Sequence, residues 1–170
     1  MILQPIPDRI KENLNILFVG FNPSIRSAET GHHFANPNNR FWKILNEAGL
    51  TPRKYSSEED VKLLDLGYGL TNIVARPTKE AKEITKEEYE VGREQLIQKV
   101  NTFKPKVICF VGKGVYQQYA KKQNVDWGVQ DEPVSDQVEF VAPSSSGLVR
   151  MKLIEVVGIY KEIHPLLTNE

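Results

Sequence analysis

Two continuous apolar runs, each closed by glycine, divide the chain: Asn15-Ile16-Leu17-Phe18-Val19-Gly20 and Val107-Ile108-Cys109-Phe110-Val111-Gly112. Neither alternates apolar with polar positions, as a strand with one solvated face would, so both read as strands buried on both faces of a parallel sheet. Gly69-Leu70-Thr71-Asn72-Ile73-Val74 and Val138-Glu139-Phe140-Val141-Ala142 are shorter strand candidates, each followed by a proline-containing loop. Between them the period becomes helical. Phe41, Ile44, Leu45 and Ala48 share one face, with Gly49 as the stop. Thr85 followed by Glu88 resembles a capping box, opening a helix that runs through Leu96 and Val100 until Pro105 forbids continuation. Strands alternating with helices predict an α/β fold, a three-layer α/β/α sandwich around a mostly parallel sheet. No internal repeat, low-complexity tract or linker interrupts the pattern, so residues 1–170 read as a single domain, a size at which one core suffices.

Composition narrows the function classes. Lys+Arg 22 balances Asp+Glu 22, so no global positive field announces a polyanionic partner and any nucleic-acid contact must be local. The single cysteine, Cys109, excludes a disulfide framework within the chain, a four-cysteine zinc site and an iron–sulfur cluster ligated by this chain alone, and fits a reducing, cytoplasmic setting. Met1-Ile2-Leu3-Gln4-Pro5 lacks the basic and apolar regions of a leader, and no stretch reaches membrane-spanning length.

In open α/β sheets ligands bind beyond the carboxyl ends of the strands, which directs attention to three loops. In Gly20-Phe21-Asn22-Pro23-Ser24, Pro23 keeps Asn22 from simply continuing into a helix and holds its amide at the sheet edge; an ordinary Asn-Pro turn reads the same way. The second region is Ala75-Arg76-Pro77-Thr78 with the adjacent Asn72. The third, Pro143-Ser144-Ser145-Ser146-Gly147-Leu148-Val149-Arg150, presents hydroxyls and backbone N–H groups suited to phosphate oxygens. Within it Leu148 is either a wedge for a base stack, with Arg150 as a cation beside it, or a side chain returning to the core. A fourth segment, Gly31-His32-His33-Phe34-Ala35-Asn36-Pro37-Asn38-Asn39-Arg40-Phe41-Trp42, crowds histidines, amides and aromatics. Phe34 offers a stacking face to a flat base, whereas Phe41 and Trp42, opening an amphipathic helix, belong to the core. No cysteine or carboxylate stands at metal-ligand spacing from His32 and His33, so no metal site is expected.

Taken in order, these segments resemble the mismatch-specific uracil/thymine-DNA glycosylases, the branch of the uracil-DNA glycosylase superfamily that holds bacterial mismatch-specific uracil glycosylases and eukaryotic thymine-DNA glycosylases. The resemblance runs from Ile16 to about Tyr160 and rests on Gly20-Phe21-Asn22-Pro23, the Gly31 to Trp42 block, Thr71-Asn72-Ile73-Val74 and the serine loop. It implies that Asn22 positions the attacking water, that Phe34 is the platform on which the base stacks and that Asn72 reads the pyrimidine edge. Backbone N–H groups around Phe21 and Ser24 would face the departing base, and Ser144, Ser145, Ser146, Gly147, Leu148 and Arg150 would form the insertion and phosphate-binding loop. The implied partner is double-stranded DNA with a mismatched or damaged pyrimidine, the implied protein a cofactor-free monomer.

The chain departs from the family pattern at Ser24, where the first motif usually runs Asn-Pro-Gly. His32-His33, Asn72 and the three serines look like the thymine branch; Gly147-Leu148 and Arg150 look like the bacterial uracil branch. The long tails of the eukaryotic enzymes are missing, which suggests a prokaryotic protein. No lysine occupies an obvious nucleophile position, so hydrolysis that leaves an abasic site is expected rather than lyase chemistry. Two other classes compete. Ser144 to Ser146, His32, His33 and Asp65 supply the residue types of a serine-hydrolase triad, without the Gly-x-Ser-x-Gly elbow. A non-catalytic nucleotide- or phosphate-binding module fits the α/β pattern, without either glycine-rich fingerprint.

Overall fold

The computed structural model describes residues 3–167; Met1 and Ile2 of the opening segment, and residues 168–170, lie outside the described residues. In chain order the elements are β1 (Ile16–Gly20), α1 (Ile25–Thr30), α2 (Phe41–Glu47), a 3₁₀ stretch (Ser57–Leu66), β2 (Tyr68–Asn72), a short 3₁₀ turn (Ala81–Glu83), α3 (Lys86–Phe103), β3 (Val107–Val111), α4 (Lys113–Ala120), β4 (Gly128–Val129), β5 (Val138–Ala142), α5 (Leu153–Lys161) and α6 (His164–Leu167). The sheet runs β2-β1-β3-β5-β4. Its first four strands are parallel, and β4 alone is antiparallel, pairing Gly128 with Val141.

Alternation along each strand assigns its side chains to two faces. Ile16 and Phe18 of β1, with Cys109 and Phe140, face one core layer built on α2, the Ser57–Leu66 stretch and α5. Leu17 and Val19, with Ile108 and Phe110, face a second layer built on α3 and α4. That is the expected three-layer sandwich, and it explains why the strand sequences do not alternate: both faces are covered. The helix boundaries follow from local chemistry. Thr85 Oγ1 accepts from the Glu88 N–H at 3.1 Å while the Glu88 carboxylate accepts from the Thr85 N–H at 3.0 Å, a capping box that starts α3. Lys104, left-handed at φ +50°, ends it immediately before Pro105.

Two carboxylates, Asp60 and Glu139, are fully buried among the described residues. Glu139, on β5 and fully buried, accepts from the hydroxyls of Tyr116, Tyr119 and Ser135 and from the backbone N–H groups of Val134 and Ser135 at 2.7–3.2 Å. These donors replace water around the carboxylate and tie the 131–137 loop and α4 to the sheet. Burial and the adjacent Glu139 carboxylate push both tyrosine hydroxyls far above their usual range.

The topology also sets where a ligand goes. Chain connections leave β1 toward β2 on one side and β3 toward β5 on the other, so the order reverses between β1 and β3. A crevice opens beyond the carboxyl ends of strands at such a point.

Candidate active-site cleft

A cleft of about 640 Å³ lies at this end of the sheet, and Gly20, Asn22, Phe34, Asn72, Thr78 and the 144–148 loop all line it. Its floor is Gly20: a Cβ there would stand 2.9 Å from Asn72 Oδ1 and 3.8 Å from Phe34 Cζ, so the missing side chain lets amide and ring close over the strand end.

Asn22 is fixed from across the chain. Its Nδ2 donates to the Arg76 carbonyl and to Thr78 Oγ1, both at 2.8 Å. Thr78 Oγ1 spends its own proton on the Glu80 carbonyl at 2.8 Å, so toward Asn22 it can only accept, and that decides which end of the amide carries nitrogen. Oδ1 is then the open end, and among the described residues no protein group donates to it. The loop after β2 that carries these acceptors is itself anchored, because the Arg76 guanidinium forks onto the Glu88 carboxylate at 2.8 and 3.0 Å and reaches the Glu83 carbonyl at 2.9 Å. The Arg76 guanidinium first, and the Thr85 N–H second, hold the Glu88 carboxyl down at about 2.

Phe34 takes the left-handed backbone region at φ +53°, which costs an aromatic residue energy and persists only where the surroundings impose it. Two neighbours impose it here. Trp42 Nε1 donates to the Phe34 carbonyl at 3.1 Å, and the Phe34 ring stacks on Phe41 with centroids 3.9 Å apart and planes 12° from parallel. One face of the ring is thereby covered while the residue still lines the cleft. Phe41 and Trp42 are buried, as expected of core residues. Asn72 makes no side-chain hydrogen bond within the described residues, so the turn-type bond that would give its amide a local role is absent.

The paired histidines hold the loop that carries Phe34. Asp60, fully buried, accepts from the His33 backbone N–H at 2.9 Å and faces His32 Nδ1 at 3.1 Å. Arg9 Nε lies 3.3 Å from the same carboxylate, a charge contact without hydrogen-bond geometry, while its Nη2 donates to the Gly31 carbonyl at 3.0 Å. His33 is buried, and Nε2 meets the Pro7 carbonyl at 3.0 Å, which requires the proton on that nitrogen. Burial is the leading cause that lowers its pKa below the usual 6.5 and favours the neutral ring. Among the described residues no three His, Cys, Asp or Glu side chains converge to hold a metal ion.

The serine loop makes its own frame. Ser144 Oγ accepts from the Ser146 N–H and Ser146 Oγ from the Leu148 N–H, both at 3.2 Å, while Ser145 is buried and its carbonyl accepts from the Arg40 N–H at 2.8 Å. All three serines line the cleft, Ser145 with only 1% of its surface exposed. A Cβ on Gly147 would meet the Asn38 carbonyl at 2.5 Å, so the loop tip packs directly on the asparagine-rich segment. Leu148, 92% exposed, does not return to the core.

Phe21, Asn22, Ser24, Phe34, Asn72 and residues 144–148 thus share one cleft; Arg150 is exposed and does not line it. Two of these residues contribute differently than their side chains suggest. The Phe21 ring turns to Tyr89 and Gly114 on the α3–α4 side, and Ser24 Oγ accepts from the Ser27 N–H as the cap of α1, which leaves their backbones to the cleft. A serine-hydrolase triad is not assembled: His32 faces Asp60 rather than the exposed Asp65, His33 meets a carbonyl, and no serine–histidine hydrogen bond forms among the described residues. The sequence reading missed Asp60, Arg40 and Lys79, of which the last two line the cleft.

Residues 7–162 match the family model described as the uracil DNA glycosylase superfamily. The fold is also similar to a solution NMR structure from Methanosarcina acetivorans, of a protein provisionally assigned as a uracil DNA glycosylase, with 21% sequence identity and a TM-score of 0.56. The similarity covers 96% of this chain and 99% of that one.

Proposed function

Because the chain belongs to the uracil DNA glycosylase superfamily, whose members act on DNA, we propose that it excises uracil, or a related damaged or mismatched pyrimidine, preferentially opposite guanine. The observation that carries this reading is the Asn22 amide, locked by Thr78 and Arg76 with Oδ1 open toward the cleft.

Hydrolysis of a deoxyribose N-glycosidic bond passes through a cation-like sugar. The C1′–N1 bond breaks, its electron pair leaves with the base, and water adds to C1′ and gives up a proton to solvent, from which the base anion takes one up. Oδ1 of Asn22 accepts a hydrogen bond from that water and aims its oxygen, but a neutral amide adds little charge and takes no proton. Selectivity then rests on how readily the base is extruded and how well it leaves, and mismatched bases cost less to unstack. The extruded pyrimidine stacks on the uncovered face of Phe34, and the unpartnered Asn72 amide, able to donate and accept, pairs with its edge. Backbone N–H groups near Phe21 and Ser24 face the departing anion. The protein works as a hydrolase that leaves an abasic site, within one domain acting as a monomer.

Incubation of a labelled duplex containing one G·U pair, followed by hot alkali, tests the reading. Scission confined to the uracil position is expected. An intact strand under single-turnover conditions with excess protein would overturn it.

A further inference from the structure

A chain with balanced charge must concentrate cations wherever it meets DNA. Most basic groups near the cleft are already paired with the protein's own acids, as Arg76 is with Glu88, Arg9 with Asp60 and Lys82 with Glu80. Arg40 and Lys79 are the Arg and Lys side chains that line the cleft itself, and among the described residues neither has a carboxylate within ion-pair distance. Glu80, the acid that also lines the cleft, is engaged by Lys82 at 3.0 Å.

Arg40 is the more telling of the two. Its Nε and Nη2 are buried with no hydrogen-bond acceptor, while its backbone N–H holds the Ser145 carbonyl of the serine loop. A shielded guanidinium without counter-charge or acceptor is costly to the free protein, and such a group signals a missing anion. Lys79 stands on a different wall, next in sequence to the Thr78 that holds Asn22.

Resting on the glycosylase reading, we propose that Arg40 and Lys79 neutralise the phosphodiester groups flanking the extruded nucleotide, Arg40 beneath the serine loop and Lys79 beside the water-positioning amide. The placement suits a strand that enters and leaves the cleft: Arg40 is tied to the loop after β5 and Lys79 lies in the loop after β2, while Asn22 follows β1, which stands between β2 and β5 in the sheet. The serine loop supplies neutral donors to the phosphate, and Arg40 supplies the charge that those donors lack.

Affinity for a duplex carrying one non-hydrolysable abasic analogue opposite guanine, measured against sodium chloride concentration, tests this. Each phosphate neutralised contributes about −0.9 to the slope of log affinity against log salt. Arg40→Met and Lys79→Met should each make the slope shallower by about 0.9, sparing about 3.5-fold of the affinity lost between about 50 and about 200 mM salt. The double variant should lose about 1.8 of slope and Arg40→Lys almost none. Without DNA, Arg40→Met should melt no lower than the native protein, since it removes an uncompensated buried charge. Should it fail to fold, the uncharged Arg40→Gln reads the same slope. Unchanged slopes in the neutral variants, with excision of uracil intact in the native protein, would overturn this assignment alone; absence of both binding and excision in the native protein would instead overturn the glycosylase reading.

Discussion

Thr78 Oγ1 accepts a 2.8 Å hydrogen bond from Asn22 Nδ2 and donates its own to the Glu80 carbonyl, so a hydroxyl 56 residues away sets which atom of the amide faces the cleft. Asn22→Ala should lower single-turnover excision by about 10²–10⁴-fold while leaving duplex affinity largely intact. Thr78→Val keeps the shape but frees one amide hydrogen; it should cost up to about 10²-fold, because Oδ1 is no longer held on its line, and Thr78→Ser should recover most of the loss. A Thr78→Val protein that excises at the native rate would detach this residue from Asn22.

The parallel strands were legible because a strand buried on both faces must be apolar throughout, and Ile16–Gly20 and Val107–Val111 are. β4 was not, since two residues, Gly128 and Val129, carry no period. The same division holds in the site. Asn22, Asn72 and the serine loop were visible as polar groups at strand ends, and Phe34 as an aromatic in a segment crowded with histidines and amides. Asp60 was not, because its role comes from contacts with His32 and His33, 28 and 27 residues away, and nothing within Ser57–Leu66 marks one acidic residue from its neighbours. Ser145 marks a similar limit: three like residues in a row read alike, yet the middle one is buried while its neighbours are half-buried, and all three line the cleft.

His33 predicts a pH dependence of the loop that carries Phe34. Burial lowers its folded-state pKa below 6.5, so near that pH the unfolded chain takes up a proton more readily than the native one. The stability contribution is full above the unfolded value and is lost as pH falls through the folded one, with a slope of at most about 1.4 kcal/mol per pH unit. Melting temperature should therefore drop between about pH 7 and pH 5.5. It should drop less in His33→Gln, which can keep a donor toward Pro7 without titrating. Identical pH profiles would show that His33 is not the group responsible.

Glu139 should be a stability residue with no part in the chemistry. Its carboxylate accepts from five donors inside the protein, and Glu139→Gln replaces an acceptor oxygen by an NH₂ group that faces N–H or O–H groups. Charged hydrogen bonds contribute about 1.5–3 kcal/mol each, so a loss of about 3 kcal/mol in urea unfolding is expected. Excision per folded molecule should be unchanged, because Glu139 does not line the cleft. A folded variant with native stability would mean that the network is not holding the 131–137 loop.

Leu148 sits on a loop whose frame is internally hydrogen-bonded and whose neighbour Gly147 packs on the Asn38 carbonyl, so its 92% exposed side chain is presented on a braced tip. An exposed leucine gains the free protein little, and a wedge explains the arrangement: inserted into the stack, it fills the gap left by the extruded nucleotide and offsets part of an unstacking cost of about a few kcal/mol. Leu148→Ala should leave the melting curve within about 0.5 kcal/mol of native, as surface substitutions do. Its effect on excision should depend on how firmly the target base is stacked. Single-stranded uracil, which needs no wedge, should be cleaved at the native rate; a G·U duplex should be cleaved more slowly; and a well-stacked A·U pair should suffer most. Single-turnover rates on the three substrates, measured beside the melting curve, decide the matter: equal losses on all three would assign Leu148 to general DNA contact and remove the wedge.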